Sequence, residues 1–117
     1  MKADDKVRRL YIRDEKNHPR AVITYTLKEV RDGMIDVTAG ASFCSHKDSF
    51  DRKKGFKLAE LRRNASKPLT VIVSADTTFN GLESHLRRCV VNFNFLNNAP
   101  GWVGGSARIR KIVNENV

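Results

Sequence analysis

The sequence predicts an α+β domain: an antiparallel β-meander, then a helix, a strand, a second helix and a short C-terminal strand. Three observations carry this. Residues 7–43 hold three runs rich in β-branched and aromatic residues, separated by short turns. From residue 50 the apolar spacing becomes helical, and it does so again over 82–97. Between these segments stands a compact apolar run, 69–75, with the length and composition of a strand. The 117 residues suffice for a single domain with a modest core and no linker.

The first strand is VRRLYIR, Val7 to Arg13. Residues 14–19, DEKNHP, are turn chemistry, with Asn17 and Pro19 as punctuation. Ala21 to Val30 alternates, and the set Ala21, Ile23, Tyr25, Leu27 is the more apolar, so it is expected to face the core. Arg31-Asp32-Gly33 is a hairpin turn. Met34 to Phe43 returns as a third strand with Ile35, Val37 and Ala39 inward, and Gly40 marks a bulge or a close backbone approach.

The next stretch, Ser45 to Lys67, is strongly basic. Asp48, Ser49 or Asp51 can cap a helix start. Phe50, Leu58, Leu61 and Ala65 make one helical stripe, expected to lie on the sheet, with Lys54 at the end of that stripe. Pro68 stops the helix. Leu69 to Ala75, LTVIVSA, reads as a strand covered on both faces and is expected inside the sheet. Asp76-Thr77-Thr78 and Asn80-Gly81 are loop residues. Over 82–97, Leu82, Leu86, Cys89, Val90, Phe93 and Leu96 make a helical stripe. From Cys89 onward the residues also alternate as a strand would; helix is favoured because the stripe covers the whole segment. On that helix Val91 and Phe95 fall opposite the core stripe, as a subunit contact; on a strand they would be core. A Gly-rich loop around Trp102 leads to a final edge strand that carries Arg108 and Arg110 on one face.

The formal net charge is +9. Such a surface attracts nucleic acid, phosphorylated small molecules or an acidic protein; a solvated surface without a specific partner is the alternative. No apolar run approaches the roughly 20 residues that span a bilayer, so no membrane partner is expected. The acidic residues near the N-terminus do not suit a signal peptide, which points to the cytoplasm. Cys44 and Cys89 are expected as free thiols. With His18, His46 and His85 they show neither C-x-x-C nor H-x-x-x-H spacing, so no metal site and no cofactor is expected.

Enzyme signatures are missing. GWVGGSAR lacks the Gly-Lys-Ser/Thr ending of a phosphate-cradling loop, and no nucleophile elbow or paired carboxylate set occurs. His46 near Asp48 and His85 near Cys89 are isolated pairs. Anion binding is better supported. A helix N-terminus presents free amides and a positive dipole end. Here Lys47, Arg52, Lys53 and Lys54 surround it, and Arg108 and Arg110 add fork donors. Phe43, Phe50 and Trp102 could stack on a base or simply pack in the core.

The stretch SHKDSFDRKKGFKLAELRR, after a β-meander, resembles the phage Thoeris anti-defence sponges of the first type. Ser45, Lys47, Asp48, Phe50, Arg52, Lys53, Gly55, Leu58 and Ala59 carry the resemblance, within a stretch of about a sixth of the chain. It implies a non-enzymatic homo-oligomer that sequesters cyclic ADP-ribose-type signals between subunits in the host cytoplasm. The leading expectation is therefore a sponge for a phosphorylated cyclic nucleotide. Its ligand residues would be Lys47, Phe50, Arg52, Lys53, Lys54, Trp102, Arg108 and Arg110, with Val91 and Phe95 at an oligomer interface. A small nucleic-acid-binding protein is the alternative, and an inhibitor docking on an acidic host protein the third.

Overall fold

The β-branched and aromatic runs become strands β1 (Asp4–Arg13), β2 (Pro19–Arg31), β3 (Met34–Phe43) and β4 (Leu69–Ser74). Helix α1 (Arg52–Arg63) joins β3 to β4, and α2 (Phe79–Phe95) follows β4. The computed structural model describes residues 1–14, 16–43, 51–65 and 68–95, with side chains as far as residue 90. All neighbouring strands are antiparallel, and their order is β1-β2-β3-β4. The protein is thus α+β and opens with a meander, as expected. The final strand expected around Arg108 and Arg110 lies outside the described residues.

The two hairpins close through turn chemistry. Asp14 accepts from the amides of Lys16 and His18 and from Arg20 Nε at 3.1 Å, while Asn17 takes a left-handed φ of 65°. Between β2 and β3, Gly33 takes a φ of 75°, which glycine adopts without a Cβ penalty.

Alternation gives the sheet two different faces. Ile23, Tyr25, Val37 and Ala39 point to one face and are buried beneath Leu82, Leu86 and Val90 of α2. The helical stripe over 82–90 is therefore the core contact. Tyr25 Oη donates to Glu83 Oε2 at 2.8 Å, and Arg87 Nε donates to the Tyr11 carbonyl at 3.1 Å, which ties α2 to both β2 and β1. Helix α2 starts earlier than the loop reading of Asn80-Gly81 implied. Thr78 explains this: its Oγ1 accepts the Gly81 amide and its carbonyl accepts the Leu82 amide, so Thr78 caps the helix.

Val22 and Thr24, on the other face, are also buried, because α1 covers them. The helix approaches at Gly40. A Cβ there would stand 2.3 Å from the Arg63 amide nitrogen and 2.4 Å from the Ala59 carbonyl oxygen. Of the two readings of Gly40, close backbone approach is the right one. Ser42 Oγ donates to the Gly55 carbonyl at 2.7 Å, and Arg62 Nη1 donates to the Ala41 carbonyl at 2.9 Å.

Two expectations are corrected here. The stripe Leu58, Leu61, Ala65 does not lie on the sheet: Leu58 is 44% exposed, Leu61 is 67% exposed and Ala65 is exposed too. Ala59 and Arg63 face inward instead. The sheet surface beneath is made of Gly40 and Ser42, so the backbones meet closely and only a small residue fits between them. Lys54, on the outward stripe, is exposed rather than laid along the core edge. The second correction concerns β4, which is an edge strand among the described residues rather than an interior one. Leu69, Val71 and Val73 turn toward α2, while Thr70, Ile72 and Ser74 are exposed.

Candidate functional site, the seam between strand β1 and helix α1

Strand period and helix period bring a set of cations and rings together on the α1 side of the sheet. Arg9, Tyr11 and Arg13 alternate on one face of β1, spaced about 6.8 Å from one to the next. Arg52 and Phe56 stand one turn apart on α1, so they share a flank. The Arg9 guanidinium lies 4.9 Å from the Phe56 ring centre. Two guanidiniums lie over the Tyr11 ring, Arg13 at 5.7 Å and Arg52 at 5.6 Å from its centre. Arg9, Arg13 and Arg52 are exposed, whereas Tyr11 and Phe56 are partly covered.

Among the described residues, none of these three arginines forms an ion pair; the pairs present are Arg8–Asp4, Arg20–Asp14 and Arg63–Glu60. A ring beneath a guanidinium restrains it and contributes about 0.5–1 kcal/mol at an exposed site. The N–H forks at the rim of the guanidinium stay available to a phosphate or carboxylate. Of the three, Arg13 spends a donor locally, on the Asn17 carbonyl at 3.1 Å, and among the described residues Arg9 and Arg52 show no such bond. The seam is a row of restrained cations beside two aromatic rings.

Of the residues expected to bind a ligand, Arg52 stands in this seam. Lys53 and Lys54 are exposed in the same first helical turn. The helix N-terminus itself is not open as expected. Asp51 Oδ1 accepts from the amides of Lys53 and Lys54 at 3.0 and 3.2 Å, so a carboxylate already satisfies the donors that a phosphate would use. Lys47, Phe50, Trp102, Arg108 and Arg110 lie outside the described residues, as do the side chains of Val91 and Phe95. Phe43 packs against the margin of the core.

Sequence reading missed Arg9, Tyr11, Arg13 and Phe56. The alternation of β1 was visible, and it pairs Arg9 and Arg13 with Tyr11 on one face. What linked them to Arg52 and Phe56 was the placement of α1 on that face, which no local pattern reveals. The basic residues at the other end of α1 have structural work. Arg62 is half-buried on the Ala41 carbonyl, and burial pulls its pKa below the ordinary guanidinium value. Arg63 is only 8% exposed.

Cys89 Sγ lies 3.7 Å from His85 Nε2, one helical turn away. Burial pushes the thiol pKa up, which is opposite to the activation a nucleophilic cysteine needs. Among the described residues no group of three or more His, Cys, Asp or Glu stands ready to hold a metal ion, and no helix is long and apolar enough to cross a membrane. Compared with protein-family models, curated proteins and solved structures, the chain matches none.

Proposed function

We propose that this protein binds a phosphorylated nucleotide without transforming it, and that the β1–α1 seam is the part of the site formed by the described residues. The supporting observation is the set Arg9, Arg13 and Arg52, exposed, without ion pairs among the described residues and restrained on Tyr11 and Phe56. Guanidinium forks neutralise phosphate, and the rings of Tyr11 and Phe56 hold those forks in place. Lys53 and Lys54 add charge at one end of the seam. Sequestration of a cyclic nucleotide signal in the cytoplasm of a phage-infected cell, as the sponge resemblance implies, is the biological form of this activity that we favour. In that form Lys47, Phe50, Trp102, Arg108 and Arg110 complete the ligand contacts.

A second reading is nucleic-acid binding. It is favoured by the linear placement of Arg9 and Arg13, about 13 Å apart along β1, which suits a phosphodiester backbone as well as a compact ligand. Calorimetry with cyclic ADP-ribose isomers and cyclic oligonucleotides separates the two, run beside titrations of single- and double-stranded nucleic acid over a salt series. Heat with the small ligands that falls at least tenfold in affinity in Arg52→Ala supports the sponge. Tight nucleic-acid binding with a steep salt slope and no small-ligand heat would refute it.

A further inference from the structure

We propose that β4 is the seam of a homodimer, in which the β4 strands of two copies pair antiparallel and join the two described four-stranded sheets into one. The two edges of the described sheet are built differently. The β1 edge carries Asp4, Asp5, Lys6, Arg8, Arg9 and Arg13, and its register is broken between Asp4 and Arg8. Charge and irregularity of this kind keep a free edge from recruiting another strand. The β4 edge has neither device. From Pro68 to Ala75 there is no charged residue, although 30% of the chain is charged, and the β3–β4 register is unbroken from Met34↔Ser74 to Ala39↔Leu69.

The charge distribution selects the occupant. Two copies that each carry +9 repel wherever their basic surfaces meet. The uncharged β4 edge is a place where backbone ladders can form with the charged β1 edges held far apart. A charged partner would find nothing on β4 to recognise, whereas a second LTVIVS strand matches it residue for residue.

The geometry also closes. In an antiparallel pair, opposed residues share a face, so a two-fold axis normal to the sheet passes beside one residue of β4, and the most central ones are Val71 and Ile72. Either choice brings Leu69, Val71 and Val73 of both copies together on the α2 side and continues the two cores. On the other side Ile72, now 57% exposed, is covered. A one-residue slip would turn the partner's α2 face to the opposite side and set Val71 and Val73 beside exposed Thr70 and Ser74, so the relative face of the two sheets is specified. Leu58, exposed on the flank of α1 opposite Phe56, adds apolar surface on the β4 side.

Sedimentation equilibrium of the full chain, combined with amide hydrogen exchange, tests this. The expected mass at micromolar concentration is twice 13.3 kDa. Association is expected to strengthen between 50 and 500 mM salt, because screening removes the repulsion between copies. Ile72→Lys is expected to weaken the dimer at least tenfold while circular dichroism stays unchanged. Should Ile72→Lys unfold the chain, the exchange of the parent β4 amides decides the matter. A 13.3 kDa particle with open β4 amides would overturn the proposal. So would a 13.3 kDa particle with protected ones, which would mean that residues 96–117 of the same chain cover the edge. A dimer that survives Ile72→Lys with full affinity would place the contact elsewhere, for example at Val91 and Phe95.

Discussion

Gly40→Ala isolates the contact on which the candidate site depends. The added methyl has no room: it would lie 2.3 Å from the Arg63 nitrogen, 2.4 Å from the Ala59 oxygen and 2.9 Å from the Arg62 carbonyl carbon. All three are backbone atoms, so no side chain can turn aside. Contacts between non-bonded heavy atoms are most favourable at about 3.5–4.0 Å, so α1 has to lift by more than an ångström. Overpacking of this kind costs about 1–3 kcal/mol by itself. The lift also stretches the Ser42–Gly55 and Arg62–Ala41 bonds, each contributing on the order of 1 kcal/mol. A total loss of about 3–5 kcal/mol follows, a large part of the roughly 5–15 kcal/mol that holds a domain folded.

Urea unfolding of Gly40→Ala beside Gly33→Ala is the measurement. Gly33 has no atom within 4 Å of a built Cβ, so its alanine meets only the left-handed backbone strain of φ 75°, worth about 1–2 kcal/mol. The expected order is parent, then Gly33→Ala, then Gly40→Ala. In Gly40→Ala the Arg52 and Phe56 side of the seam moves away from Arg9 and Tyr11, so ligand affinity falls with stability, whereas in Gly33→Ala it does not. If Gly40→Ala were within about 0.5 kcal/mol of the parent, the close approach of α1 to β3 would be refuted.

Other expectations are more local. Phe56→Leu keeps the apolar bulk on α1 but removes the ring under Arg9; ligand affinity is expected to fall severalfold with little change in urea midpoint, read by calorimetry and fluorescence. Burial and the bond to Glu83 push the Tyr25 pKa well above 10.0. The unfolded chain therefore releases that proton first, and stability is expected to fall as pH rises above about 10, an effect lost in Tyr25→Phe. Asp14 behaves with the opposite sign. The His18 amide and its other donors hold its pKa below 3.8, so the unfolded chain binds the proton first and stability is lost as pH falls below that value. Acid titration of Asp14→Asn is expected to show a shallower loss. Arg63 has a buried Nη1 with no hydrogen-bond partner among the described residues, and Glu60 at 3.9 Å is its salt-bridge partner. Arg63→Met is therefore expected to be neutral or stabilising in urea, while Arg63→Ala leaves a void and destabilises.

The parts of the fold that were legible in the sequence were those in which one face is wet. The inward set of β2 and the stripe Leu82, Leu86, Val90 separate cleanly from their polar neighbours, so period alone identified them. The α1 stripe misled because a helix seated on Gly40 and Ser42 needs a narrow face. Its contact residue is Ala59, and the larger Leu58 and Leu61 are turned away. The apolar run of β4 misled for a related reason. An apolar run suggests a strand covered on both faces, but among the described residues Thr70, Ile72 and Ser74 are exposed and only the Leu69, Val71, Val73 face is packed.

Charge was legible as a total and illegible as a set of roles. Among the 22 lysines and arginines, the ones with most effect on the fold and the ones open to a ligand occur side by side in sequence. Arg8 pairs with Asp4 and lies 4.6 Å from the Phe79 ring, on the α2 side; Arg9, the next residue, stacks on Phe56 on the α1 side. Arg52 and Arg62 belong to one helix, yet one is exposed over Tyr11 and the other is half-buried on a strand carbonyl. The difference between them is which face of the sheet and which end of α1 they reach, and that is a property of the packing. A cation count predicts attraction to anions. Only the pairing pattern tells which cations can change partner when an anion arrives: those that rest on a ring and form no ion pair among the described residues, as Arg9, Arg13 and Arg52 do.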